Sequence, residues 1–259
     1  MQLEFHQVDA FADRPFSGNP AVVYRLDTWL ADSLMQQIAA EHNQAETAFV
    51  VREGARWQIR WFTPTAEVPL CGHATLASAH VLFECYGEPG ACLDFSCQSG
   101  ALSVTREQGR LVLDFPVVRA AEVAVSPELE RALGVPVLAA WQSNELMAVL
   151  ESEQAVRECT PDLVALARLP GLGVLITAPG VRHDFVSRYF APSIGINEDP
   201  VTGSTHCLLI PYWAERLDKT EMTAFQCSAR GGELHCRLHG ERVKIAGQAV
   251  LVSKGRLFL

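Results

Sequence analysis

No two of the 8 cysteines in this sequence are spaced C-x2-C. That excludes a zinc ribbon or finger built on such pairs. A chain of 259 residues builds a core without covalent cross-links. Cys71, Cys85, Cys92, Cys97, Cys159, Cys207, Cys227 and Cys236 therefore read as reduced thiols, most of them buried as small hydrophobes. His235 and His239 are no metal pair either, because they fall in a strand-like stretch where a four-residue spacing makes no common helical face. Runs of Lys or Arg are also missing. The 21 basic residues are outnumbered by 30 acidic ones, for a formal net charge of −9. Phosphate contacts dominate nucleic-acid affinity, so no nucleic-acid partner is expected. Nor is binding to an anionic membrane.

Long hydrophobic runs are lacking too. The most apolar stretch, 164–181, is broken by Arg168, Pro170, Gly171, Gly173 and Pro179, so a single membrane helix is excluded there. The opening Met1-Gln2-Leu3-Glu4-Phe5-His6 alternates like a strand and has neither the basic nor the apolar region of a leader. A cytoplasmic location is the expectation.

What is present is an internal repeat. Arg60-Trp61-Phe62-Thr63-Pro64 recurs 128 residues later as Arg188-Tyr189-Phe190-Ala191-Pro192. Gly100-Ala101-Leu102-Ser103-Val104 and Arg110-Leu111-Val112-Leu113 have counterparts 132 residues on, in 232–236 and 242–245. Units this long are not solenoid repeats. They predict two similar domains, 1–117 and 118–259, joined near 117–126, with the final strand free to return to the first half.

The patterning is mixed α and β. Residues 3–11, 21–24, 46–51, 57–62, 93–96, 101–105 and 110–115 read as strands. Leu34, Ile38 and Ala39 mark a helix over 32–41. Its counterpart is expected over 161–168, capped by Thr160 with Pro161 in the first helical position. Two more helices open on small-residue turns, over 76–84 and 207–217, and Pro211 should kink the second.

Those two turns hold the candidate chemistry. Gly72-His73-Ala74 and Gly203-Ser204 place free N–H groups and a positive dipole end where an anion can bind. Facing each other across a cleft, they would clamp a carboxylate; alternatively, the glycines only permit tight turns. The dipole predicts a neutral His73. It also predicts a lowered pKa at Cys71. Asp199 is an acid/base candidate or a cap. Glu46, in the otherwise small or apolar run 45–51, is either exposed or desolvated as a general acid/base would be.

Asp9-Ala10-Phe11, 16–23, Glu46-Thr47-Ala48-Phe49, Arg60-Trp61-Phe62-Thr63-Pro64, 70–75, 198–204 and Arg230-Gly231-Gly232 occur in order along the chain. This series resembles the phenazine-biosynthesis PhzF-like family. The resemblance implies an α+β, diaminopimelate-epimerase-like fold: two pseudo-symmetric domains, each a mostly antiparallel barrel-like sheet around a central helix. It implies a homodimer that needs no metal or organic cofactor. It implies an isomerase acting on a small carboxylated metabolite, as in the isomerisation of trans-2,3-dihydro-3-hydroxyanthranilate. Glu46 matches the proton-moving glutamate, with His73 and Asp199 as its catalytic partners. Gly72, Ala74, Gly203 and Ser204 fall at the substrate-binding positions. Pro69 departs from the family's common acidic residue, and Thr205 from a smaller one. An amino-acid epimerase or racemase, and a non-catalytic metabolite- or partner-binding protein, remain as alternatives.

Overall fold

A computed structural model describes residues 1–259. Strands β1 (Gln2–Ala10) and β2 (Asn19–Leu26) precede helix α1 (Asp32–His42). Next come β3 (Glu46–Glu53), β4 (Arg56–Phe62), β5 (Glu67–Val68) and α2 (Gly72–His80), which runs into a π turn at Val81–Cys85. Strands β6 (Cys92–Cys97), β7 (Gly100–Glu107), β8 (Arg110–Pro116) and β9 (Ala121–Val123) follow, then α3 (Pro127–Leu133), β10 (Ala139–Gln142) and β11 (Leu146–Val149). Helices α4 (Glu153–Glu158) and α5 (Leu163–Leu166) lead to β12 (Val174–Pro179), β13 (Phe185–Ala191), a 3-10 turn at Pro192–Ile194 and β14 (Ile196–Asp199). The chain ends with α6 (Gly203–Leu217), β15 (Glu221–Gln226), β16 (Gly232–His239), β17 (Arg242–Gly247) and β18 (Ala249–Phe258). No helix is long and apolar enough to cross a membrane.

Two compact units result: Met1–Phe115 with Ile245–Leu259, and Pro116–Lys244. In the first, β18 runs antiparallel to β1, and β1 antiparallel to β2. Strands β3 and β4 form a hairpin, and β6, β7 and β8 a meander. Two pairings are parallel, β2 with β3 and β4 with β6. Parallel neighbours need a crossover, and α1 and α2 supply the two. The second unit repeats this plan. Strand β11 pairs parallel with β12 across α4 and α5, and β13 pairs parallel with β15 across α6.

Helix α2 packs against β1, β2, β3, β7 and β18. Its residues from His73 to Ala79 are all buried. A helix enclosed on every side needs small residues, and Ala74, Ala77, Ser78 and Ala79 let the strands approach. By contrast, α1 buries one stripe, Met35, Ile38 and Ala39, against Val22, Tyr24 and Phe49. Each large side chain so buried contributes about 1.5–3 kcal/mol.

The second unit departs from the sequence pattern at its first crossover. The helix expected over 161–168 is the short α5, and Thr160 does not cap it. The cap is Asp162, whose carboxylate accepts from the Val164 and Ala165 N–H groups. A second helix, α4, precedes it with Ser152 as cap. The unit thus has four helices rather than the two expected. Pro211 lies inside α6 without ending it. Proline cannot donate to the Cys207 carbonyl, and the Val118 N–H takes that acceptor at 3.0 Å. The segment after β8 is thereby tied to the helix.

Candidate active site

The turn from β1 to β2 sets up the first unit's polar cluster. Gly18 has φ +64, and a Cβ there would lie 2.1 Å from the Ala10 carbonyl oxygen. Only glycine fits that approach. The buried Asp9 carboxylate accepts from the Phe16 N–H at 2.7 Å and pins the loop. Asn19 emerges at the start of β2, fully buried.

Asn19 Nδ2 lies 3.2 Å from Nδ1 of His73, and Cys71 Sγ lies 3.5 Å from the same nitrogen. The other ring nitrogen, Nε2, is 3.0 Å from Oε2 of Glu46 at the start of β3. Glu46 is 9% exposed and His73 5%, which answers the question of whether Glu46 is exposed. The Glu46–His73 contact has ion-pair distance without hydrogen-bond alignment, so both atoms are buried with no aligned partner. Glu46, Cys71 and His73 offer donor atoms within 4.8 Å of one another. The imidazole stands between the other two, with Nε2 toward Glu46 and Nδ1 toward Cys71.

Burial alone would drive His73 toward neutrality. The Cys71 sulfur and the Glu46 carboxylate act against burial and push its pKa upward. That push runs against the dipole-based expectation of a neutral ring. At Cys71 the dipole is likewise outweighed: burial first, and Glu46 second, push its thiol up rather than down. A protonated thiol carries no charge, so near neutral pH the electrostatic pull on His73 comes from Glu46.

Gly72, His73 and Ala74 form the first turn of α2, and the cap residue Cys71 supplies no side-chain hydrogen bond. Their N–H groups have no intrahelical partner. Glu46, Gly72, His73 and Ala74 are thus brought together in one unit.

Asp199, Gly203 and Ser204 are brought together in the other. Asp199 ends β14, and its carboxylate accepts from the Thr202 hydroxyl. Gly203 is buried, while Ser204 is exposed in the first turn of α6. Thr202 caps this helix as Cys71 caps α2. The equivalent of Cys71 is therefore Thr202, and Asp199 stands opposite Val68. Gln226, fully buried on β15, accepts from the Thr202 N–H and donates to the Asp199 carbonyl and the Thr202 hydroxyl. Sequence reading passed over Asn19 and Gln226. Asn19 carried a signal, lying between Gly18 and Pro20 at a turn; Gln226 carried none.

His206 donates through Nδ1 to the Thr202 carbonyl at 2.8 Å, and its Nε2 is buried without a partner. Burial lowers its pKa from 6.5 to about 4. Above pH 6.5 neither the folded nor the unfolded chain protonates this ring, and the stabilisation is complete. As the pH falls from 6.5 toward 4, only the unfolded chain gains the proton, and about 3 kcal/mol is lost. Urea titrations of wild type and His206→Gln should diverge by that amount over this window, the wild type losing more. Parallel curves would show that His206 carries no such linkage.

Matches to known proteins agree with this architecture. The sequence model of the PhzC-PhzF family, phenazine biosynthesis-like protein, matches residues 8–255. An uncharacterized isomerase of Pseudomonas aeruginosa is 68% identical, with all of both chains covered. The crystal structure of a PhzF-family phenazine biosynthesis protein from Enterococcus faecalis superimposes with TM-score 0.99 at 48% identity, over 100% of each chain. A hydroxyproline epimerase from Agrobacterium vitis shares the fold, with TM-score 0.66 at 7% identity, over 99% of this chain and 92% of the other. The chain belongs to the phenazine biosynthesis-like PhzF family and is an isomerase of that kind.

Proposed function

We propose that this isomerase moves a proton between two carbons of a small amino or hydroxy acid, with Glu46 carrying the proton. The observation that supports this most directly is the buried Glu46–His73 pair, 3.0 Å apart and unaligned, beside the open first turn of α2. Catalytic hydrogen bonds in unliganded sites are often misaligned and tighten on substrate binding.

In the proposed reaction the Glu46 carboxylate takes a proton from a carbon next to an activating group. The electron pair moves into the conjugated system, and Glu46 returns the proton to a different carbon. Atoms and electrons balance with no co-reactant. The N–H groups of Gly72 and Ala74 bind the substrate carboxylate or the charge that develops on it. His73 orients Glu46 and the substrate's polar group. Asp199 is proposed as a further acid/base group, with Gly203 and Ser204 binding substrate in the second unit. A homodimer in the cytoplasm is part of the same proposal.

The test is incubation of the protein in D2O with a panel of small amino and hydroxy carboxylates, including trans-2,3-dihydro-3-hydroxyanthranilate. Carbon-bound hydrogens are followed by NMR. Deuterium appearing at a carbon other than the one deprotonated supports a proton shift. Exchange confined to one stereocentre, with loss of optical rotation, would replace it with epimerisation. Tight binding of a panel member with no exchange would point to a binding protein.

A further inference from the structure

The charge on Glu46 favours a second proton on His73, and Nε2 already faces Glu46. The second proton would have to occupy Nδ1. That nitrogen is met by the side-chain amide of Asn19 at 3.2 Å and by the Cys71 thiol at 3.5 Å. An amide nitrogen only donates. A thiol that burial keeps protonated donates as well. Both neighbours of Nδ1 therefore require a lone pair there. A proton on Nδ1 would point at an N–H and an S–H.

We propose that Asn19 is a positioning residue for the isomerase reaction: its amide donates to Nδ1 and holds His73 as the neutral Nε2–H form, with that N–H turned toward Glu46. This rests on the reading of Glu46 as the proton carrier. A neutral Nε2–H offers Glu46 a hydrogen bond without a cation, and leaves the carboxylate free to meet a carbon-bound proton. An imidazolium in the same place would tie up the carboxylate as a full ion pair. Glu46 from β3 and Cys71 from the cap of α2 are the titratable groups acting on the ring, and Asn19 opposes them without carrying charge.

The experiment reads the ring itself. The whole protein is labelled with 15N-histidine, and the His73 signals are identified by their loss in His73→Gln. Two-bond 1H–15N spectra are then recorded from pH 5.5 to 8.5 with no substrate. In the wild type, Nδ1 is expected in the unprotonated range and Nε2 in the protonated range across neutral pH. Asn19→Asp replaces the donor with a charged acceptor of the same shape. It should move the His73 titration midpoint up by about 1–3 pH units, and the acid limb of the D2O-exchange profile should move with it. Asn19→Ser, whose hydroxyl donates or accepts, should give a mixture of tautomers and a smaller displacement.

A wild-type His73 found doubly protonated at pH 7, or protonated on Nδ1, overturns the proposal whether or not either variant folds. So does an Asn19→Asp protein that folds with an unmoved titration. These readings need no turnover. Exchange retained in Glu46→Gln would remove the proposed reaction and leave the tautomer result standing.

Discussion

Glu46→Gln is expected to lower deuterium incorporation into substrate by about 10²–10⁴-fold, the range a positioned acid/base supplies. Substrate binding, read by calorimetry or ligand-detected NMR, should survive. The two expectations separate because of where Glu46 sits. Its carboxylate opens β3 and is buried against His73. The groups proposed to hold the substrate carboxylate are backbone N–H groups of Gly72 and Ala74, on a different element. Glutamine keeps the shape and can still accept from His73 Nε2, so the cluster should stay in place. What it lacks is an oxygen basic enough to take a proton from carbon. Retained exchange in Glu46→Gln would sink the assignment of Glu46. Loss of binding together with exchange would make Glu46 a ligand-holding residue instead. The cleanest form of the measurement uses a saturating substrate concentration, where a defect confined to proton transfer appears in kcat alone.

The duplicated plan was legible in the sequence because it rests on bulky, patterned strands. Arg60-Trp61-Phe62 and Arg188-Tyr189-Phe190 stand at the same place on β4 and β13. The match continues further than the sequence suggests: Glu67, Pro69 and Gly72 correspond to Glu198, Pro200 and Gly203, leading into α2 and α6. Three extra residues before Glu198, around the Pro192–Ile194 turn, break the register and conceal it. Glu46 and His73 stood out as polar residues in apolar or small-residue surroundings. Their mutual contact did not, because it joins β3 to α2 through tertiary packing that no local pattern encodes. The same limit hid Gln226, which sits on an ordinary alternating strand and acts on a turn 24 residues earlier. The cap of α5 was misplaced for a local reason: Asp162 competes with Thr160, and a carboxylate accepting two N–H groups prevails.

Arg188→Ala is expected to destabilise the second unit by about 3 kcal/mol, because it strips one partner from a half-buried ion pair and the donor from two backbone carbonyls. The matching change in the first unit, Arg60→Ala, should cost about 1 kcal/mol or less. The two arginines share position and partners. Arg60 makes a two-pronged pair with Glu67 at 2.7 Å and 2.7 Å, and Arg188 makes one with Glu198 at 2.7 Å and 3.0 Å. Each guanidinium also lies over the aromatic ring two residues on, 5.3 Å from Phe62 and 4.8 Å from Phe190. They differ in what else they satisfy. Arg60 reaches the exposed carboxylate of Asp32, which water serves equally well when the arginine is gone. Arg188, with only 13% of its side chain exposed, donates to the carbonyls of Val156 and Cys159 at the end of α4. Truncating it leaves those carbonyls and Glu198 without their donor in a half-buried site. Lysine should not rescue, because one ammonium cannot span a carboxylate and two carbonyls in a plane. Differential scanning of the two variants should therefore show a melting point lower by roughly 10 °C for Arg188→Ala and by a few degrees for Arg60→Ala. Equal losses would mean that the shared ion pair, rather than the carbonyl contacts that distinguish the second copy, dominates the energetics of the repeat.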